Sequence, residues 1–429
     1  MKPLRVALAG LGTVGAQVAQ LLLERAVLLE ERAGCKLVLT AVSARDRARK
    51  RGVDLSQVPW CDDAVALAKR DDVDVVVELI GGAEGIAKDV VETALANGKH
   101  VVTANKALVA HHGTALARKA EAEGLGFNYE AAVAGGIPII KTLREALVAN
   151  EVKRLYGILN GTCNYILSQM AGTGRAFADV LKEAQDLGYA EADPAFDIEG
   201  TDAAHKLSIV ASLAYGSAVD FNAVSCEGIT RISALDIQAA RELGFAIKLL
   251  AIAEAASDGV RCRVHPAMVP LGTPLADVDG AFNAVFIEAD PVGQLMLQGP
   301  GAGAGPTASS VLSDLADLAR GLRIPAFLRS ASRLEKKPPG DLRVRSGSFY
   351  LRFTAVDRPG VIAEIARILA VRGISIESII QRGRDPGAPV QVVMVTHETE
   401  EAAMAQALQE IALAKNVVDP PCMIRIEAF

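Results

Sequence analysis

The sequence predicts an α/β fold in three parts, and three observations carry that expectation. The chain opens on an apolar run, then Gly-x-Gly-x-x-Gly and a helical pattern, and short apolar runs alternate with amphipathic stretches to residue 133. The last eighty or so residues read strand, helix, strand, strand, helix, strand, the order of a ferredoxin-like domain. Between them the alternation stops, and an α+β region with a second glycine-rich loop takes its place.

The first part reads in detail as a Rossmann-type dinucleotide-binding domain, residues 1–133. Leu4 to Ala9 is a buried parallel strand, followed by Gly10, Gly12, Thr13, Val14 and Gly15 and a helix over Gln17 to Glu31. The motif needs glycine for a tight turn, for close approach of backbone to a pyrophosphate, and for packing of helix on strand. A second strand, Lys36 to Val42, ends in Ser43-Ala-Arg45-Asp46. An acidic residue at that point would suit a ribose 2′-hydroxyl, whereas Arg45 suits a 2′-phosphate, so NADP is expected, with Asp46 leaving NAD as the alternative. Further strands follow over Asp71 to Gly82, His100 to Thr103 and Phe127 to Ala132, with a helix at Ile86 to Asn97. Thr103 and Lys106 fall at the carboxyl edge of the sheet, where open α/β sheets bind ligands.

The second part, 134–305, is expected to bind substrate and to form a subunit interface. Leu155 to Asn164 runs from a strand through Asn160-Gly161 into a helix, with Thr162 as its N-cap. Helix is also expected over Ala178 to Leu187 and Phe245 to Ala255, and strand over Arg261 to Pro270 and Ala284 to Glu288. Gly299 to Gly305 then opens a helix over Val311 to Arg320 that returns the chain to the nucleotide domain, 306–335. Lys336 to Gly340 reads as a hinge, 336–347 as a linker, and 348–429 as the tail domain.

Composition excludes several classes. A net charge of −6, 4% aromatic residues and no basic tract argue against nucleic acid as a partner. No apolar run is long enough to span a bilayer, and the start lacks a signal-peptide pattern, so the cytoplasm is expected. The six cysteines include no Cys-x-x-Cys pair, so neither zinc nor a disulfide framework is indicated.

The densest chemistry lies in Gly188-Tyr189-Ala-Glu191 through Asp197, Asp202 and Lys206. Asp202 and Lys206 are four residues apart and share one helix face. Two readings stand: a solvated salt bridge at a helix start, or a carboxylate holding a lysine that moves a proton. Lys106 likewise reads as a surface lysine or as a reacting one, and Glu130 as a buried hydrogen-bonded acid or as an oxygen ligand for a monovalent cation.

Taken together, Gly10 to Gly15, Thr103-Ala-Asn-Lys106, Gly157-Ile-Leu-Asn-Gly-Thr162, Gly188 to Lys206 and Gly299 to Gly303 resemble the homoserine dehydrogenase family nearly end to end. The resemblance implies NAD(P)-dependent reduction of L-aspartate 4-semialdehyde to L-homoserine. It implies Lys206 as proton donor, Asp202 as a substrate contact, and Lys106 as a second essential lysine. Glu191, Tyr189, Asp197, Gly161 and Thr162 match its amino-acid pocket. Gly12, Thr13, Val14, Arg45, Lys106, Gly188 and Gly303 match its cofactor contacts. Glu130, with the carbonyls of Val133, Gly135 and Ile137, matches a site for sodium or another monovalent cation. The tail, with Asp357-Arg-Pro-Gly360, resembles an ACT domain, which implies an amino-acid effector such as threonine, or oligomerisation alone. A homodimer or homotetramer is expected. Other readings are a different NADP-dependent amino-acid or hydroxy-acid dehydrogenase, an acylating enzyme using Cys163, and a nucleotide sensor without catalysis.

Overall fold

The computed structural model describes residues 2–381 and 387–429. Five parallel strands form the first sheet in the order Leu37–Ser43, Leu4–Ala9, Val75–Glu78, His100–Thr103, Phe127–Asn128. Helices cover both faces, so the central strand Val75-Val-Val-Glu78 is buried throughout and cannot alternate polar with apolar. The long helix expected over Gln17 to Glu31 breaks at Arg25 into Thr13–Glu24 and Ala26–Ala33. The strand expected over Phe127 to Ala132 stops at Asn128, because Glu130–Ala132 winds into a single 3₁₀ turn.

The helix Ala304–Ala319 packs beside Thr13–Glu24. Its Val311, Leu315 and Leu318 complete the core made by Val6, Leu8 and Val18. Each such apolar side chain contributes roughly 2 kcal/mol by burial. The Asp314 carbonyl accepts from Asn128 Nδ2 at 3.4 Å and its carboxylate from the Glu130 amide at 2.9 Å.

The second sheet joins the middle and the tail of the chain. Its order is Gly293–Pro300, Phe282–Asp290, Glu151–Ile158, Phe245–Ala256, Gly259–Pro270, Val417–Ile426, Ser346–Val356, Pro389–Thr396, Ile376–Gln381. Phe245 to Ala255 is therefore a strand, not the expected helix. Its Ala- and Leu-rich run has helical propensity, but most of it is buried on both faces, and it pairs along its whole length with Gly259–Pro270 across a tight turn at Ser257-Asp258. The helix Ala234–Glu242, closed by a Ser233/Asp236 capping box, and the strand Gly293–Pro300 were not expected.

The tail has the ferredoxin-like order, with helices Val361–Val371 and Glu401–Leu413 on one face of four strands. Its last strand pairs in parallel with the middle region, Arg425 opposite Ala267 and Ile426 opposite Met268. Fully buried Asp236 clasps this junction, accepting from Arg352 Nε at 2.6 Å and from the Tyr350 hydroxyl at 2.9 Å. The stretch read as a hinge lies against the hairpin, with the Val260 amide donating to the Pro338 carbonyl and the Gly340 amide to the Val260 carbonyl.

Candidate active site

The strand Glu151–Ile158 delivers Leu159 and Asn160 to one end of the second sheet. Asn160, not Thr162 as expected, caps the helix Gly161–Thr173: its Oδ1 accepts from the Cys163 amide at 2.7 Å. The Thr162 hydroxyl instead donates to the Tyr189 carbonyl. The other end of the Asn160 amide gathers two acids, its Nδ2 donating to Asp197 Oδ1 at 2.7 Å and Asp202 Oδ2 at 2.8 Å.

Asp202 and Lys206 lie one turn apart on the helix Thr201–Tyr215 and are 2% and 8% exposed, which removes the solvated salt-bridge reading. The Lys206 ammonium donates to Asp202 Oδ2 and to the Leu159 carbonyl, each at 2.7 Å. That uses two of its three hydrogens and leaves one for the cleft that Lys206 lines. Lys106 arrives from the other half of the molecule, at the start of the helix Lys106–Ala122 that Asn105 caps. Its Nζ lies 2.5 Å from Asp202 Oδ1, so one carboxylate holds a lysine from each half.

The balance of charge sets the protonation states. Burial would raise the Asp202 carboxyl, but the Lys206 and Lys106 ammoniums outweigh it and hold it well below the ordinary range. Burial lowers Lys206; Asp202 opposes that shift, Lys106 reinforces it, and the net direction is down. Asp197 is raised by burial, against the Asn160 hydrogen bond.

Three clefts in series, each sharing walls with the next, lead to this point. The first, about 760 Å³, lies along Gly10, Gly12, Arg45 and Arg51. Glycine is required at Gly10, with φ +104°, and at Gly15, where a Cβ would lie 2.0 Å from the Gly10 carbonyl oxygen. A Cβ at Gly12 would meet nothing within 4 Å, which leaves backbone open to a ligand at the start of the helix Thr13–Glu24. Leu79, Ile80 and Gly81 lead into the second cleft, between Val14, Gly135 and the two lysines. Lys106, Lys206, Gly301 and Ala302 are shared with the third, about 560 Å³, which contains Gly161, Thr162, Gly188, Tyr189, Asp197, Asp202 and Gly303.

A dinucleotide trough thus ends on two lysines, Lys206 buried and Lys106 half-buried, facing an acidic pocket, and comparison with known proteins shows which family shares that plan. The family model for homoserine dehydrogenase matches residues 138–316, that for its NAD binding domain 10–130, and that for the ACT domain 349–412. Homoserine dehydrogenases of Neisseria gonorrhoeae and Pseudomonas aeruginosa are 44% and 43% identical, covering 100% of this chain and 100% and 99% of theirs. A crystal structure of a homoserine dehydrogenase from Thiobacillus denitrificans superposes with a TM-score of 0.93 at 44% identity, over 100% of this chain and 99% of that one. The chain belongs to the homoserine dehydrogenase family. It is an oxidoreductase acting on a CH–OH group with a nicotinamide dinucleotide, in the interconversion of aspartate 4-semialdehyde and homoserine.

For a homoserine dehydrogenase the expected residues converge, with exceptions. Glu191 is exposed and is not among the cleft-lining residues. Thr103 lies behind the trough, its hydroxyl donating to fully buried Glu78 at 2.6 Å. Cys163 is fully buried with its thiol donating to the Asp197 carbonyl at 3.2 Å, so it presents no accessible nucleophile for an acylating reaction, and burial and then Asp197 push the thiol up. Glu130 accepts from the Ile140 and Lys141 amides, each at 2.8 Å, and is pushed up to about 7 by burial and Asp314. The Gly135 carbonyl accepts from Ser310, and that of Ile137 from the Ile139 amide. Among the described residues no cluster of three or more His, Cys, Asp or Glu could hold a metal ion.

Sequence reasoning missed Asn160, Asn105 and Asn283. Asn160 and Asn105 sit immediately before helices, a capping signal that was legible. Asn283 lines the substrate pocket, is 1% exposed, and neither end of its amide has a hydrogen-bond partner among the described residues. Nothing local marks it, since it lies inside a strand.

Proposed function

We propose that Lys206 is the proton donor when aspartate 4-semialdehyde is reduced and the acceptor when homoserine is oxidised. The observation that supports this is the buried ammonium held by Leu159 and Asp202, with its remaining hydrogen available on a wall shared by the cofactor and substrate clefts. The hydride for the aldehyde carbon comes from the reduced nicotinamide. Lys206 gives its proton to the carbonyl oxygen as charge develops there, and Lys106 adds a second positive charge beside it. Asp202 keeps both lysines in register. Gly161, Thr162, Tyr189, Asp197 and the unpaired Asn283 hold the amino-acid end, with Glu191 at the outer edge of the loop. The test is Lys206→Ala: turnover in both directions should fall roughly a hundred- to ten-thousand-fold while NADPH binding, followed by fluorescence, persists. Normal turnover would refute the assignment.

NADP is the proposed cofactor, on the strength of Arg45 and Arg51 at the adenosine end of the trough. An archaeal homoserine dehydrogenase solved with NADPH, 26% identical with a TM-score of 0.64 over 75% of this chain and 99% of that one, is consistent with that choice. Arg45→Ala should lower the kcat/KM ratio of NADPH to NADH about tenfold, and an unchanged ratio would remove Arg45 from the 2′-phosphate site. Sodium or another monovalent cation is proposed beside Glu130, Val133, Gly135 and Ile137. The fit is electrostatic, because a positive ion would stabilise buried Glu130, which burial and then Asp314 push up to about 7. Activity in sodium against tetramethylammonium salts tests it, and equal rates would dismiss it. The tail is proposed to bind an amino-acid effector such as threonine, in a cytoplasmic homo-oligomer. A threonine titration of activity combined with sedimentation tests both ideas; no inhibition and a monomer would end them.

A further inference from the structure

Glu78 ends the central strand of the nucleotide-binding sheet, is fully buried, and is not among the residues that line the clefts. A buried acid is costly unless its oxygens are hydrogen-bonded, and the partners here are specific. Its Oε1 accepts from the Ile80 and Gly81 amides at 2.7 and 3.0 Å, and its Oε2 accepts from the Thr103 hydroxyl at 2.6 Å. Burial pushes the carboxyl up, and the Thr103 hydroxyl and the two amides oppose that shift. All three partners donate, which is what an ionised carboxylate needs. Glu78 and Thr103 are register partners at the carboxyl ends of neighbouring parallel strands, so one side chain grips the turns that follow both.

The second of those turns leads to Lys106. The Thr103 hydroxyl accepts from the Asn105 amide at 3.0 Å. Asn105 in turn caps the helix Lys106–Ala122, its Oδ1 accepting from the Leu108 amide at 3.0 Å, and its Nδ2 donates to the Gly82 carbonyl at 2.7 Å. Lys106 is the first residue of that helix, where the dipole disfavours a cation. Its flexible four-carbon stem also makes the ammonium's place depend on where the backbone beneath it is held. Ile80, Gly81, Asn105 and Lys106 all line the cleft that joins the dinucleotide trough to the lysines.

We propose that Glu78 is a positioning residue for the reaction. Through Thr103 and Asn105 it fixes the base of Lys106 so that the ammonium meets Asp202, and through Ile80 and Gly81 it fixes the backbone beside the cofactor. Thr103 then serves as the link between the buried acid and the lysine. The inference rests on the reading of Lys106 as the second positive charge beside Lys206. Loosening the link therefore acts as a partial loss of Lys106: less positive charge stands near Lys206, and its pKa rises.

The experiment uses the full-length protein and Thr103→Val, which removes the hydroxyl and keeps the shape. Its kcat for homoserine oxidation should fall about tenfold, with the rising limb of the pH profile moved to higher pH, as in Lys106→Met. NADPH binding, followed by fluorescence, should persist. Thr103→Ser, which retains the hydroxyl, should restore both kcat and the limb. In the Lys106→Met background the valine substitution should change kcat by less than about twofold, because both act through one lysine. Glu78→Gln can still accept from the two amides but offers Thr103 no acceptor; its limb should move the same way, and it decides the matter if the valine variant does not fold. An unmoved limb in these variants, or the same tenfold loss with and without Lys106, overturns the link while the role of Lys106 stands. If Lys106→Met itself turns over normally, the reading of Lys106 falls and the inference with it.

Discussion

At the scale of single residues, the site depends on one carboxylate shared by two lysines. Lys206 is lowered by burial and by Lys106 and raised by Asp202, so its neighbours move it in opposite directions. With Lys206 as the proposed proton acceptor, homoserine oxidation requires its neutral form and should rise with pH through that group's pKa. Lys106→Met removes a like charge, so the rising limb should move to higher pH. Asp202→Asn removes an opposite charge, so it should move to lower pH. Residual kcat/KM profiles of the two variants check this, and shifts of the same sign would show that Lys206 is not the titrating group. The identities of Lys106, Asp202 and Lys206 were legible in the sequence because they sit in long motifs. Their mutual geometry was not, because Lys106 and Asp202 are 96 positions apart and meet only through packing (202 − 106).

At the scale of elements, the strand-to-helix turn at Leu159 to Cys163 performs three tasks. It closes a strand, caps a helix and ties two acids together, with Asn160 central to each. Asn160→Ala should cost about 1 kcal/mol through loss of the cap. It should also lower kcat, because Asp197 and Asp202 each lose a donor. Denaturant unfolding and kinetics on the same preparation test it; lost stability with intact kcat would reduce Asn160 to a cap. Elements with strong local signals were readable, including His100 to Thr103 and the tail's strand and helix order. Phe245 to Ala255 was not, since its composition favours helix and only its cross-strand partner makes it a strand. The Asp258-Gly259 pair beside it was the available hairpin signal.

At the scale of the whole molecule, the tail is continuous with the substrate region's sheet, which no local pattern announces because the decisive pairing, Arg425 with Ala267, is long-range. Asp236→Ala should remove an anchor of that seam and leave the Arg352 guanidinium without its acid. The expected cost is about 3 kcal/mol, read as an earlier unfolding transition of the tail in hydrogen exchange. An unchanged protection pattern would show that strand pairing alone holds the seam.

The chain leaves the nucleotide-binding sheet near Val133 and comes back near Gly303, and these two crossings lie side by side. The Gly136 amide donates to the Pro300 carbonyl, and a Cβ at Gly135 would strike the Gly301 carbonyl. Two adjacent crossings bonded to each other give the two halves one narrow covalent joint, and Lys106 and Lys206 stand on opposite sides of it. The separation of the two lysines at Asp202 is therefore a gauge of the angle between the halves, read with a ruler that the chemistry itself supplies.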